Sequence, residues 1–134
     1  MMSSTITAER RTTQERGRAE RTAELLAGLA ALRSLRGMTP PEARAAQVIG
    51  KPWDTAEIVE LAIAWVGTGL DVPTLTDLAG RDWDDPVLPT LFDIVLDDLG
   101  AGRPASSTAR RRVAAYLARR ATGLARVPVP RRTA

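Results

Sequence analysis

The stretch from Asp54 to Gly100 carries its own helix punctuation: DTAEIVELAIAWVGTGLDVPTLTDLAGRDWDDPVLPTLFDIVLDDLG. Asp54 suits an N-cap, because its carboxylate can accept the free N–H groups of a first helical turn, and Glu57 three residues on completes a capping box. Trp53 before the cap and Ile58 after it form a hydrophobic-staple pair. Ile58, Leu61, Ala62, Trp65 and Val66 then recur at the spacing of one buried helical stripe, ended by Gly67 and Gly69. Asp71, Val72 and Pro73 open a second, short helix closed by Gly80, and Asp82 to Pro86 reads as a turn. Leu88, Leu91, Phe92, Val95, Leu96 and Leu99 predict a third helix, with Asp84 or Asp85 as its cap, Pro86 or Pro89 in its first turn and Gly100 as its stop. The expected core is Leu61, Trp65, Leu78, Leu91, Phe92, Val95, Leu96 and Leu99. Asp93, Asp97 and Asp98 form an acidic outer face. Acid near a helix C-terminus opposes the macrodipole, so Asp97 and Asp98 imply a basic neighbour.

Around this centre, residues 1–18 are polar with charges of both signs and read as a disordered basic arm able to extend the next helix on binding. Leu25, Leu26, Leu29, Leu32 and Leu35 predict a helix over 19–36, with Arg33 and Arg36 at its C-terminal end. Thr39, Pro40, Pro41 and Glu42 form a second capping box opening a short helix that stops at Gly50. Ser106, Ser107 or Thr108 caps a last helix to Gly123, with Val113, Tyr116, Leu117 and Ala121 as a thin apolar face. Residues 124–134 alternate proline with other residues and read as an extended Pro/Arg tail. No strand alternation and no internal repeat is present. The expectation is an all-α fold, a compact bundle of about six short helices over residues 19–123, with flexible basic termini.

Composition narrows the chemistry. The 134 residues include no cysteine and no histidine, which excludes disulfides, thiolate metal sites and imidazole general bases. Eighteen arginines stand beside a single lysine, Lys51, a bias typical of a GC-rich genome. No apolar run approaches the ~20 residues of a membrane span or resembles a signal peptide, so a soluble cytoplasmic protein is expected. Charge is segregated. Residues 1–52 carry nine basic and five acidic residues, residues 53–100 one and eleven, and residues 101–134 nine and none.

The motifs offer little catalysis. Asp82, Asp84 and Asp93 faintly echo a calcium loop, but Pro86 holds its fifth position and Val87 its sixth, where the sharp turn needs glycine; helix capping accounts for the cluster. Asp93 and Asp97 share a face that Asp77, Asp82 and Asp84 could approach, yet no nucleophile or phosphate loop accompanies them. Leu75 to Leu99 has a helix-turn-helix rhythm, but its second helix would present Asp93, Asp97 and Asp98 to phosphate. Trp53, Trp65 and Trp83 read as core rather than pocket. Arg110, Arg111, Arg112, Arg119, Arg120, Arg131 and Arg132 are the better nucleic-acid candidates, unless they lie on the acidic centre of their own chain, where Asp97 and Asp98 would meet Arg110, Arg119 and Arg120.

The run from Gly69 to Gly80, followed by Asp85-Pro86 and a helix ending Leu99-Gly100, resembles a G-x-D-x-P-x-L-x-x-L-A-G segment of small, uncharacterised all-helical actinobacterial proteins. It covers about a third of the chain, and its residues are caps, stops and core leucines. The resemblance implies a local fold and no activity. The expected function is that of a small non-catalytic cytoplasmic protein working by protein–protein interaction, an adaptor or immunity-type binder, without metal or cofactor. The alternative is an accessory nucleic-acid binder using the C-terminal arginines.

Overall fold

Six α-helices follow one another in the computed structural model, which describes the backbone from residue 2 to residue 126 and side chains from residue 13 to residue 123. They are α1 (Met2–Ala30), α2 (Pro40–Val48), α3 (Thr55–Gly67), α4 (Pro73–Ala79), α5 (Leu88–Asp98) and α6 (Ser106–Arg126). No strand occurs among the described residues, and the fold is all-α.

The two capping boxes form as the sequence predicts. The Thr39 hydroxyl accepts from the Glu42 N–H at 3.4 Å while the Glu42 carboxylate accepts from the Thr39 N–H at 2.9 Å. Asp54 accepts from the Ala56 N–H at 3.4 Å, and Glu57 accepts from the Asp54 N–H at 3.0 Å. Helix α5 differs. Val87 holds its N-cap position, and Asp85 accepts from the Val87 N–H at 3.0 Å, so that carboxylate shapes the preceding turn instead of capping the helix. Arg81 braces the same turn, donating to Asp85 at 2.9 Å and to Asp77 at 3.3 Å.

Helices α2, α3 and α5 end alike. After α5, the Ala101 N–H reaches back to the Leu96 carbonyl at 2.8 Å and the Gly100 N–H to the Asp97 carbonyl at 3.0 Å. This doubly bonded C-terminus needs a left-handed residue at its corner, which Gly100 supplies at φ 77°. It also turns Ala101 into the core, where it is buried.

The core sits where α3, α4 and α5 meet and continues beneath α2 and α6. Phe92 stacks on Trp65 with centroids 6.2 Å apart and meets Trp53 edge-to-face at 5.1 Å. Leu61, Trp65, Leu78, Leu91, Phe92, Val95 and Leu96 are buried as expected, and Leu99 packs half-buried against them.

The ends of the chain depart from expectation. The 1–18 segment expected as an arm is continuous with α1, because its Glu, Arg, Gln and Ala residues are good helix formers and Gly17 alone does not break the run. The helix then stops at Ala30 rather than near residue 36. Leu35 and Met38 drop into the core from an irregular loop, and α6 side chains bond that loop's carbonyls. Helix α6 runs past Gly123 to Arg126, and the remaining tail, with Arg131 and Arg132, lies outside the described residues.

Candidate functional site

Helix α2 is almost wholly alanine on its inner side, and Arg44 stands among those alanines only 1% exposed. A buried guanidinium must find partners for five N–H groups, and Arg44 finds them all. Its Nε donates to the Ala101 carbonyl at 2.8 Å, and one terminal nitrogen donates to Gln47 at 2.8 Å and to the Asp93 carboxylate at 3.3 Å. The other donates to the Asp93 carbonyl at 3.2 Å and to the Asp97 carboxylate. Gln47 also donates to Asp93. This is the basic neighbour that Asp97 required; Asp98 instead accepts from the Thr74 hydroxyl at 2.7 Å.

The C-terminal helix docks, but not on the acidic centre. Its most extensive interface among the described residues is with α2. Arg119 forks onto the Glu42 carboxylate at 2.7 and 2.8 Å and also reaches the Gly37 carbonyl at 3.1 Å. Arg120 donates to the Ser34 carbonyl at 2.8 Å, and the buried Tyr116 hydroxyl donates to the Arg36 carbonyl at 2.8 Å. The expected pairs of Asp97 and Asp98 with Arg110, Arg119 and Arg120 are therefore absent. Arg44 reaches Asp97 from inside the fold, and α6 lies over α2 rather than the end of α5. Arg110, Arg111 and Arg112 make no ion pair among the described residues, and Arg103 only approaches Asp93 at 4.0 Å.

Burial alone would raise the Glu42 pKa, but the hydrogen bonds from Arg119 and from the Thr39 backbone outweigh it and hold the carboxyl below its ordinary 4.5. A lowered folded-state pKa stabilises fully above the unfolded value and loses that contribution as pH falls through the folded one. Urea midpoints should thus drop as pH is lowered below the ordinary carboxylate range. Glu42→Gln should remove part of that drop, about 1 kcal/mol or less because Arg119 is half-exposed. Identical acid slopes for the two proteins would show that the pair contributes nothing.

Asp93 and Asp97, the paired carboxylates considered for acid–base work, both accept from Arg44. No group of three or more metal-binding side chains occurs among the described residues, and no helix there is long and apolar enough to cross a membrane. Trp65 is core and Trp53 packs half-buried against it, whereas Trp83 is 67% exposed in the turn before α5, contrary to the core expectation, because Asp82 to Asp85 turns outward.

Between the 31–39 loop and α3 lies an open cleft of about 580 Å³. Leu35, Met38, Leu61, Ala64, Trp65 and Leu70 give it an apolar lining. The loop adds Arg33 and Arg36, and α3 adds Glu57 and Glu60. The Trp65 Nε1–H donates to the Met38 carbonyl at 2.8 Å, which pins the loop to α3. The sequence pointed to neither the cleft nor Arg44. Its one signal for Arg44 was a lone arginine among alanines, matched by Asp93 and Asp97 one helical turn apart.

No protein-family model matches this chain, and no curated protein or solved structure matches it significantly.

Proposed function

We propose that the protein is a small non-catalytic binding protein, an adaptor or immunity-type binder, that holds an apolar segment of a partner protein in the cleft between the 31–39 loop and α3. The observation that carries this reading is the cleft itself: a preformed apolar lining flanked by arginines on one element and glutamates on the other. An amphipathic partner helix fits those walls, its apolar stripe on the exposed Ala64 and Leu70 above the buried Leu61 and Trp65, and its charged flanks toward Arg33 and Arg36 on one side and Glu60 on the other. The non-catalytic part of the reading is supported by the absence of histidine and cysteine and by the engagement of Asp93 and Asp97 with Arg44. A cytoplasmic location belongs to the same proposal.

Ala64 lines the cleft and is exposed, outside the core. Ala64→Arg should therefore place a charged side chain in the cleft while moving the melting temperature by no more than a few degrees. With wild type and Ala64→Arg used side by side as affinity baits, the reading expects a partner enriched on wild type and reduced at least about tenfold on the variant. Equal capture by both baits, or capture by neither, would reject it.

A further inference from the structure

Four of the six arginines of α6 divide into two pairs. Arg119 and Arg120 are engaged, holding α2 and the carbonyls of the 34–37 loop. Among the described residues Arg110 and Arg111 make no ion pair, and the one polar contact of the two is from Arg111 to the Thr108 hydroxyl at 3.2 Å. Both belong to the first two turns of a helix whose first turn holds no acid, so their charge adds to the positive end of the helix dipole with nothing opposing it locally.

A neighbouring helix brings a third arginine to them. Helices α1 and α6 run side by side in the same direction. Gly28 lies against Leu117, so closely that a Cβ there would meet the leucine Cδ1 at 3.0 Å. Toward the N-terminal ends of both helices, Arg21 and Leu25 of α1 border an open groove of about 400 Å³ with Ser107, Arg110 and Arg111 of α6. Arg21 makes no ion pair among the described residues. The groove also holds Glu24, equally without an ion pair, so three positive charges face one negative charge across it.

We propose that the groove between α1 and α6 is a contact site for the phosphate backbone of a nucleic-acid duplex, with Arg21, Arg110 and Arg111 as the phosphate-binding groups. Guanidinium forks match phosphate oxygens, and the Ser107 hydroxyl adds a neutral donor. Residues 101–123 contain six arginines and no acid, a local excess of positive charge able to steer a polyanion. A single strand is the poorer fit. Strand-binding grooves rely on aromatic side chains to stack bases. Here the tryptophans and the phenylalanine belong to the 51–54 linker, α3, the turn before α5 and α5, and Tyr116 is buried. Contact is therefore with backbone and not with bases, and it is indifferent to sequence.

The test is a fluorescence-anisotropy titration of the full-length chain against a labelled mixed-sequence DNA duplex, repeated at several salt concentrations, with each protein's melt recorded alongside. Wild type should bind with an affinity that falls steeply between about 50 and 200 mM salt. The triple variant Arg21→Gln/Arg110→Gln/Arg111→Gln should bind at least about tenfold more weakly and lower the log–log salt slope by about 2–3. Arg111→Gln alone, at an exposed position that leaves the melt unchanged, should weaken binding by about threefold in the same direction. Arg112→Gln removes equal charge nearby without touching the groove and should stay within about twofold of wild type. Ala64→Arg should leave the duplex titration unaltered, which separates this site from the cleft.

Several outcomes would overturn the proposal. They are no salt-sensitive binding by wild type, a triple variant that binds like wild type, and a loss through Arg112→Gln or Arg131→Gln/Arg132→Gln as large as that of the triple. Tighter binding to the matching single strand, to phosphatidylglycerol vesicles or to a second copy of the chain would overturn it as well.

Discussion

Replacing Arg44 with alanine is expected to destabilise the protein by about 3–5 kcal/mol. The side chain fills space between α2 and α5, so its loss leaves a cavity. It is also the donor to the Ala101 and Asp93 carbonyls. The two carboxylates are a smaller part of the cost. Asp93 is 44% and Asp97 70% exposed, so water can take over their hydration once the guanidinium is gone. Arg44→Lys should recover only part of the loss, since an ammonium has three donors and cannot fork between α5 and the chain beyond it. Arg44→Met supplies volume without donors, and its distance below wild type measures what the hydrogen bonds contribute. Urea unfolding of the three variants checks the series. An alanine variant within about 1 kcal/mol of wild type would show that the α2–α5 contact does not depend on Arg44.

Legibility followed range along the chain. Thr39, Glu42, Asp54 and Glu57 could be read because a capping box is closed by residues three apart. Gly50, Gly69 and Gly100 could be read because a left-handed corner leaves few alternatives. The stripes of α3 and α5 gave the core apart from Val66, which the last turn of α3 leaves 40% exposed, since burial follows periodicity in a short amphipathic helix. The end of α1 could not be read. Leu32 and Leu35 continue its stripe by spacing, and only the tertiary contacts of Leu35, Met38 and the 34–37 carbonyls turn the chain out of the helix. The charges were read by segment but not by pair. Asp97 announced a basic partner, yet a same-chain competition among nineteen cations was settled by a residue 53 positions away, buried among alanines. The cleft was invisible for the same reason, being made by two segments that only the fold brings together.

Helix α6 completes the domain. Ala109, Val113 and Tyr116 are fully buried, and Tyr116, Arg119 and Arg120 satisfy carbonyls of the loop that walls the cleft. Removing residues 105–134 would uncover the apolar side of α2 and strand those groups. Burial of Val113, Tyr116 and their neighbours is worth on the order of 5 kcal/mol. That is a large share of the ~5–15 kcal/mol by which a domain of this size is stable. The most direct measurement is a thermal melt of chain 1–104 beside the full chain, followed by far-UV circular dichroism, with a peptide of residues 105–134 added back in a third sample. The account predicts that 1–104 alone loses its cooperative transition, or melts at least about 15 °C lower, and that the added peptide raises the transition. A truncated chain that melts cooperatively at the temperature of the full protein would contradict it.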